Sequence, residues 1–487
     1  ALGGEHLVLG GVIDHGGAAQ LISTLSPRIV NEARFQIPYR SQAQNRFEAT
    51  GTGPAITIPG VANFGNSLDV GFLYEEATPE FTDNLSLNLD KHSLKFGAAF
   101  RSIRDTQVQQ TSALYTFPSI AAYLAAKNAT APKGYTTFVQ TVGEPSINYN
   151  SLFTSLYGQD QWKPRANLTI IYGVRYDIYR PPSANSASPF ASSKSFRTDK
   201  NNFAPRLGLA WGLGKTVIRA NGGIFYDPFQ TDTYRKSILN NGTPIFFSVT
   251  ARPTDSFAPA FPAVFNGIPS GFSLAQQAIT TVDPNFASLY SANANFSISR
   301  EITANLGVTA TYLYTTGSRL PIWRNINLGL TGNTLADGRP IFGGTRPIAG
   351  FGDILSAESV GKSSYNGLNI RIDRRFAKGF EAFATWTWSH AIDDAPEQTN
   401  IDSGAFLLSD ASNRARDRGN SLTDRRHAFN GNLVWNPSLK SGNKAAQYLA
   451  NNNRFAFALT AQSGEVYNVG SNRVLNGDGS TGTAYQR

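Results

Sequence analysis

The segment "NLTIIYGVRYDIYR", Asn167 to Arg180, alternates apolar and polar residues too regularly, and for too long, for an ordinary strand of a soluble domain. Leu168, Ile170, Tyr172, Val174, Tyr176 and Ile178 share one face. Thr169, Gly173, Arg175, Asp177 and Tyr179 share the other, with Ile171 the exception. The pattern recurs. "PRIVNEARFQIPYR" sets Ile29, Ala33, Phe35, Ile37 and Tyr39 against Glu32, Arg34, Gln36 and Arg40. "SSYNGLNIRIDRRF" sets Leu368, Ile370, Ile372 and Phe376 against Arg371, Asp373 and Arg375. "NLGVTATYLYT" places Leu306, Val308, Ala310, Tyr312 and Tyr314 opposite Gly307, Thr309, Thr311 and Thr315. Strands of about five or six residues are usual in globular proteins. Strands roughly twice that length, each with one apolar side, need an apolar surrounding of matching depth.

The breaks between these segments are unequal. Tight ones fall at 90–92, 163–167, 212–215, 301–305 and 377–379; stretches rich in Gly, Pro, Ser and Asn fill about 109–150, 181–202, 227–288, 317–363 and 392–425. A soluble domain with so many long loops is unusual. A β-barrel of an outer membrane has this asymmetry, with short periplasmic turns and long extracellular loops. In hydrocarbon every backbone group needs a partner, so a spanning sheet must close. The expectation is therefore an all-β, transmembrane antiparallel β-barrel, with about 14 strands visible over residues 1–487. Trp and Tyr near strand ends ("QDQWKP", "TWTWSHAID", "NLVWNP") suit interfacial girdles. No apolar run approaches the ~20 residues of a spanning helix. A soluble sandwich or propeller would have shorter strands and more even loops.

Composition narrows the chemistry. Charged residues are 16% of 487, below the roughly 25% usual in soluble proteins. The net charge of +9 is scattered, so nucleic acid is not an expected partner. There is no cysteine, which excludes disulfides, thiolate metal sites and Cys nucleophiles. There is also no methionine, and the opening "ALGGEHLVLGG" is not a signal peptide, so the chain reads as an internal piece of a longer precursor. "GLGKT" (Gly212 to Thr216) lacks the first Gly of a phosphate-binding loop and reads as a hairpin turn. "NGDGS" (Asn476 to Ser480) lacks the further ligands of a calcium loop. His6, His15, His92, His390 and His427 show no metal-ligand spacing and read as solvated or interfacial. Asp393 and Asp394 are adjacent on an extended chain and point to opposite sides, so a loop or interface role is favoured over acid–base chemistry. No catalytic residue, metal or cofactor is expected. The densest charge run holds Arg414, Arg416, Arg418, Arg425 and Arg426. It suits an anionic solute or lipopolysaccharide; alternatively Arg416, Arg418 and Arg426 pair with Asp417 and Asp424, which is the favoured reading. "NNGTPIFFSV" (Asn240 to Val249) offers aromatic groups to an extended ligand or a sugar face.

Five segments in order carry a more specific signal. "SLYGQDQWKPRANLTIIYGVRYDIYRPP", "NNFAPRLGLAWGLGKTVIRANGGIFYDPF", "SSYNGLNIRIDRRFAKGFEAFATWTWSHAIDDA", "RGNSLTDRRHAFNGNLVWNPS" and "VLNGDGSTGTAYQR" resemble the Oar-like branch of the TonB-dependent outer-membrane receptors. The resemblance implies a family barrel of 22 strands filled by an N-terminal plug, of which this chain is the middle portion, incomplete at both ends. It implies binding of a scarce solute (a siderophore, glycan or peptide) at the outer loops. Import would be driven by the TonB complex through an N-terminal region absent from this sequence. Glu32, Arg34, Arg175, Asp177, Arg371 and Asp373 are then lumen-facing candidates for holding a plug or meeting solute. The protein would sit in the outer membrane against lipid and lipopolysaccharide. The alternative is a structural or adhesion barrel without energy-coupled transport.

Overall fold

The computed structural model describes residues 8–46, 53–66, 72–109, 111–143, 146–228, 231–272, 278–394, 408, 410, 412–440, 442–451, 453–467, 469–471, 477 and 484–486. Most long strands join one sheet, the wall. It runs from β1 (Val8–Ser26) to β2 (Ile29–Arg46) and then to one position made of two pieces, β3 (Phe72–Ala77) and β4 (Glu80–Asn88). Both pieces pair with β5 (His92–Gln109), followed by β6 (Ser146–Arg165), β7 (Leu168–Arg180), β8 (Asp199–Leu213) and β9 (Thr216–Asp227). The order continues with β10 (Leu289–Thr303), β11 (Leu306–Asn325), β12 (Ile354–Ala377), β13 (Phe380–Asp393), β14 (His427–Trp435) and β15 (Phe455–Gln462). Every one of these pairings is antiparallel and, with β3 and β4 counted as one position, joins successive strands of the wall. With β3 and β4 sharing a position, the described residues give the wall fourteen strand positions, as expected.

Register sorts the side chains. Val174 lies opposite Gly158 and Pro205, whereas Arg175 lies opposite Tyr157 and Ala204. Val174, Leu207, Phe296, Ile298, Tyr312, Ile372 and Trp388 are exposed on the outward face. Asp177, Ser155 and Asn202 are buried on the other. An apolar surface that large is stable only against lipid.

Six connections at one end are two or three residues long, as expected: 27–28, 89–91, 166–167, 214–215, 304–305 and 378–379. Gly214 (φ +57) sits in the turn between β8 and β9, so "GLGKT" is a hairpin. Lys378 and Gly379 both have positive φ (+53 and +85), which matches the right-handed twist of the strands they join. A seventh connection, 436–454, is long and carries a helix.

At the other end the loop-like stretches prove to be folded. β11 runs up to Asn325 and β12 begins at Ile354, so both ends of 317–363 belong to wall strands that continue above the lipid band. Above them Phe246–Ala251, Thr137–Gly143, Ala113–Thr116, Ala55–Ile58 and Ala62–Gly65 form a separate five-stranded sheet, in that order. Its strands come from three different connections. Gly, Pro and Asn mark the turns of this small sheet, not an absence of structure.

Because outward positions meet hydrocarbon, Leu207→Arg will lower folding stability in vesicles by about 2–4 kcal/mol, whereas the inner-face change Thr311→Arg will cost far less. Urea titration of the two variants checks the difference.

Candidate functional site

The inner face carries ion pairs built along single strands. Arg34 Nη2 donates to Glu32 Oε1 at 2.7 Å, and Arg175 Nε donates to Asp177 Oδ1 at 2.8 Å. Arg371 holds Asp373 with two bonds, from Nε at 2.6 Å and Nη2 at 2.7 Å. Residues two apart on a strand share a face, so each pair neutralises itself without a partner strand. Arg371 also covers the Phe383 ring at 4.8 Å. Arg371 and Asp373 line an open cavity of about 580 Å³ at the short-turn end, with Arg375, Lys215 and Glu301. Lys215 Nζ lies 3.6 Å from Glu301 there. The three candidate pairs sit on β2, β7 and β12 and are not brought together in one place.

The arginine run is tied into the rim. Arg414 Nε donates to Asp394 Oδ2 at 3.1 Å, and Arg426 Nε meets Asp424 Oδ2 at 3.1 Å. Arg416 pairs with Asp410 at 3.5 Å and also donates to the Asp337 carbonyl. Arg425 Nη2 meets Glu465 at 2.7 Å. Arg418 is exposed and closes the 3-10 turn Arg414–Asp417. Asp394 also accepts from the Lys362 N–H, so it anchors backbone. His92 is not merely solvated: its Nδ1 meets Asp160 Oδ2 at 2.6 Å, an oxygen that also accepts from the Tyr172 hydroxyl. His390 takes Arg426 and Asn420, and His427 stacks on Trp386. His6 lies outside the described residues, as does "NGDGS" apart from Gly477. Among the described residues no group of three His, Asp or Glu is placed to hold a metal ion.

The largest buried core lies in the upper sheet, the roof. Tyr115, Phe117, Tyr135 and Phe138 pack there with Ile56, Ile58 and Phe261. Gln140 clips the Phe265 backbone through its amide, donating to the carbonyl and accepting from the N–H, both at 2.7 Å. The Tyr135 hydroxyl donates to the Pro259 carbonyl at 2.8 Å. Burial pushes the Tyr115 phenol up, and pushes Tyr135 up to about 12, so both remain neutral donors. "NNGTPIFFSV" is spent on a second cluster of the roof: Phe247 and Val249 alternate inward on its edge strand and are buried with Val142, against Phe257, Phe265 and Phe272.

Two helices belong to the outer connections: α1 (Ile120–Lys127) packs Ala126 into the roof core, and beneath the roof α2 (Thr231–Leu239) folds into the mouth of the wall. Tyr234 packs against Tyr179 of β7, Trp323 of β11 and Ala357 of β12, with Val282 and Phe286. Leu239 packs against Ile147 and Tyr149 of β6. Ile279–Val282 add to the upper end of β12 as a parallel strand. At the start of α2, Asp105 is 5% exposed and hydrogen-bonds to Thr231 and Tyr149. Its Oδ2 is buried without a partner. Outward residues at this height on β5 are Ser102, Arg104 and Thr106, so Asp105 sits above the apolar band. Burial first, then the charge of Glu76 across the strand pair, pushes its carboxyl up to about 6. Sequence reasoning missed this assembly. The signals were Thr231-Asp232-Thr233 opening a helix, Tyr234 and Ile238 four apart, and one acidic residue among the inner-face positions of β5.

Residues 12–487 match the family model described as outer membrane beta barrel domain. The chain belongs to that family. The protein is a β-barrel of the outer membrane. Among solved structures it is similar to the outer membrane transporter YddB from Escherichia coli, at 12% identity and a TM-score of 0.55, covering 93% of this chain and 56% of that one. It is also similar to the copper transporter OprC, at 9% identity and a TM-score of 0.50, covering 88% and 51%. These likenesses concern the fold. The chain spans about half the length of each structure. No curated protein sequence matches it significantly.

Two expectations follow for the mouth of the barrel. Phe138→Ala will destabilise the roof by about 3–5 kcal/mol without melting the wall, read as faster amide exchange in Thr137–Gly143 and Phe246–Ala251 only. Asp105 binds its proton more tightly in the folded state than the ordinary value near 3.9 allows. That arrangement therefore loses stability as pH rises from about 4 through about 6. Exchange in α2, corrected for intrinsic pH dependence, will quicken across that window, and Asp105→Asn will flatten the response.

Proposed function

We propose that this barrel is the greater part of a TonB-dependent receptor that binds a scarce solute at its outer mouth and imports it. The observation that carries the reading is the roofed mouth: three connections share one core, and α2 is bolted to β6, β7, β11 and β12 beneath them. A pore for free diffusion has no use for such a cover. A receptor that must retain a solute, and then admit it at an energy cost, does. The fold likeness to YddB and OprC supports the same class. Further wall strands would meet the free edges of β1 and β15, each of which has one neighbour among the described residues. The cavity at the short-turn end would face a plug, with Arg371, Asp373 and Arg375 the candidate contacts; Glu32, Arg34, Arg175 and Asp177 would line the path. Arg414, Arg416, Arg418, Arg425 and Arg426 would brace the rim, most of their charge being answered by Asp394, Asp410, Asp424 and Glu465. The barrel would do no bond chemistry.

The test uses the full-length protein in its own envelope. Uptake of labelled ferric siderophores, oligosaccharides and short peptides is compared in cells with and without TonB. Binding that survives loss of TonB while uptake vanishes is expected. Binding with no uptake in either strain would sink the transport reading and leave a surface barrel.

A further inference from the structure

The connection 436–454 has no reason in the wall to be long. β14 and β15 pair directly down to Trp435 opposite Phe455, and two residues suffice to close such a hairpin. The segment is nevertheless constructed with care. Asn443 accepts from the N–H groups of Ala445 and Ala446 at the start of α3 (Lys444–Ala450). Asn451 clasps Leu439 twice, accepting from its N–H at 2.7 Å and donating to its carbonyl at 3.2 Å. Asn453 donates to the carbonyls of Tyr448 and Leu449. These bonds hold a surface that is apolar and uncovered: Tyr448 is 83% exposed, Leu449 69% and Leu439 46%. Lys440 and Lys444 lie on the same stretch.

Both roots of the connection stand on the lipid face. The Trp435 and Phe455 rings are 5.7 Å apart, and the same outward face continues through Leu433, Phe457 and Leu459, all exposed. Leu439 is four residues beyond Trp435, within about 14 Å of extended chain. We propose that 436–454 is a membrane anchor, with α3 lying in the periplasmic surface of the bilayer. Leu439, Tyr448 and Leu449 enter among the outer parts of the acyl chains. Tyr448 keeps its hydroxyl at headgroup level, and Lys440 and Lys444 reach the lipid phosphates. The occupant is the phospholipid leaflet because the apolar groups continue an existing lipid-facing surface and the charges are those that phosphates attract. The anchor would pin one side of the wall at a fixed depth, independently of what the outer mouth binds.

These 487 residues hold no cysteine, so once any cysteine elsewhere in the full-length protein is replaced by serine the test is direct. Tyr448→Cys in the full-length protein is labelled with an environment-sensitive fluorophore and placed in phosphatidylethanolamine–phosphatidylglycerol vesicles, with or without brominated acyl chains. Phe457→Cys, on the lipid face, and Thr460→Cys, on the inner face, are the references. Quenching at 448 approaching that at 457, with little at 460, is the expected result. No quenching at 448 while 457 is quenched would overturn the proposal, placing α3 in water or under another protein. Reversing both charges (Lys440→Glu with Lys444→Glu) should weaken quenching at 448 at least twofold when phosphatidylglycerol is present. An unchanged signal would remove the lysines from the anchor.

Discussion

A strand crossing hydrocarbon has nowhere to place its N–H and C=O groups except on another strand. That requirement organises the whole molecule. It fixes the antiparallel order from β1 to β15, because each strand pairs with its neighbour in the chain before anything else can claim it. It also releases the side chains from making a core. Leu207, Phe296 and Trp388 can point outward because the lipid solvates them, and the inner face can carry charge because water does.

The packing that a soluble domain would centre on a core is therefore displaced to the outer end. There the chain leaves the lipid, water returns, and the hydrophobic effect again favours burial. Segments around residues 56, 115, 138, 251 and 261, far apart in sequence, converge on one aromatic core, while α2 wedges Tyr234 between wall strands. The wall and the roof are held by different forces, which is why a roof substitution and a lipid-facing one should fail differently.

The wall was legible because its rule is strict. Alternation at Leu168–Arg180 or Leu306–Thr315 assigns face and strand together, and a slip of one residue would reverse every side chain. The roof was not legible. Its strands run four to seven residues, and "TFVQTVG" shows alternation no stronger than chance in so short a window. Its partners come from three connections, so no local pattern announces them. The inner-face pairs were visible as charges, but not their closure onto residues two positions away, which depends on rotamers. Asp105 could be placed on the inner side of β5 but its burial could not, because that depends on α2. The aromatic run at Phe246 and Phe247 was misleading for the same reason: apolar residues in a loop suggest a ligand until another segment covers them.

The central claim is that one face of each wall strand meets lipid and the other meets water. A single-cysteine scan of Leu168–Arg180 in the membrane-embedded full-length protein tests it most directly, using a hydrophilic thiol reagent; these 487 residues contribute no cysteine of their own, and any cysteine elsewhere in the full-length protein is first replaced by serine. Reaction with period two is predicted: positions 169, 171 and 175, which are open on the inner face, labelled, and positions 170, 172, 174 and 176 protected. Equal labelling at 174 and 175 would contradict it, since no spanning barrel wall leaves both faces open to water.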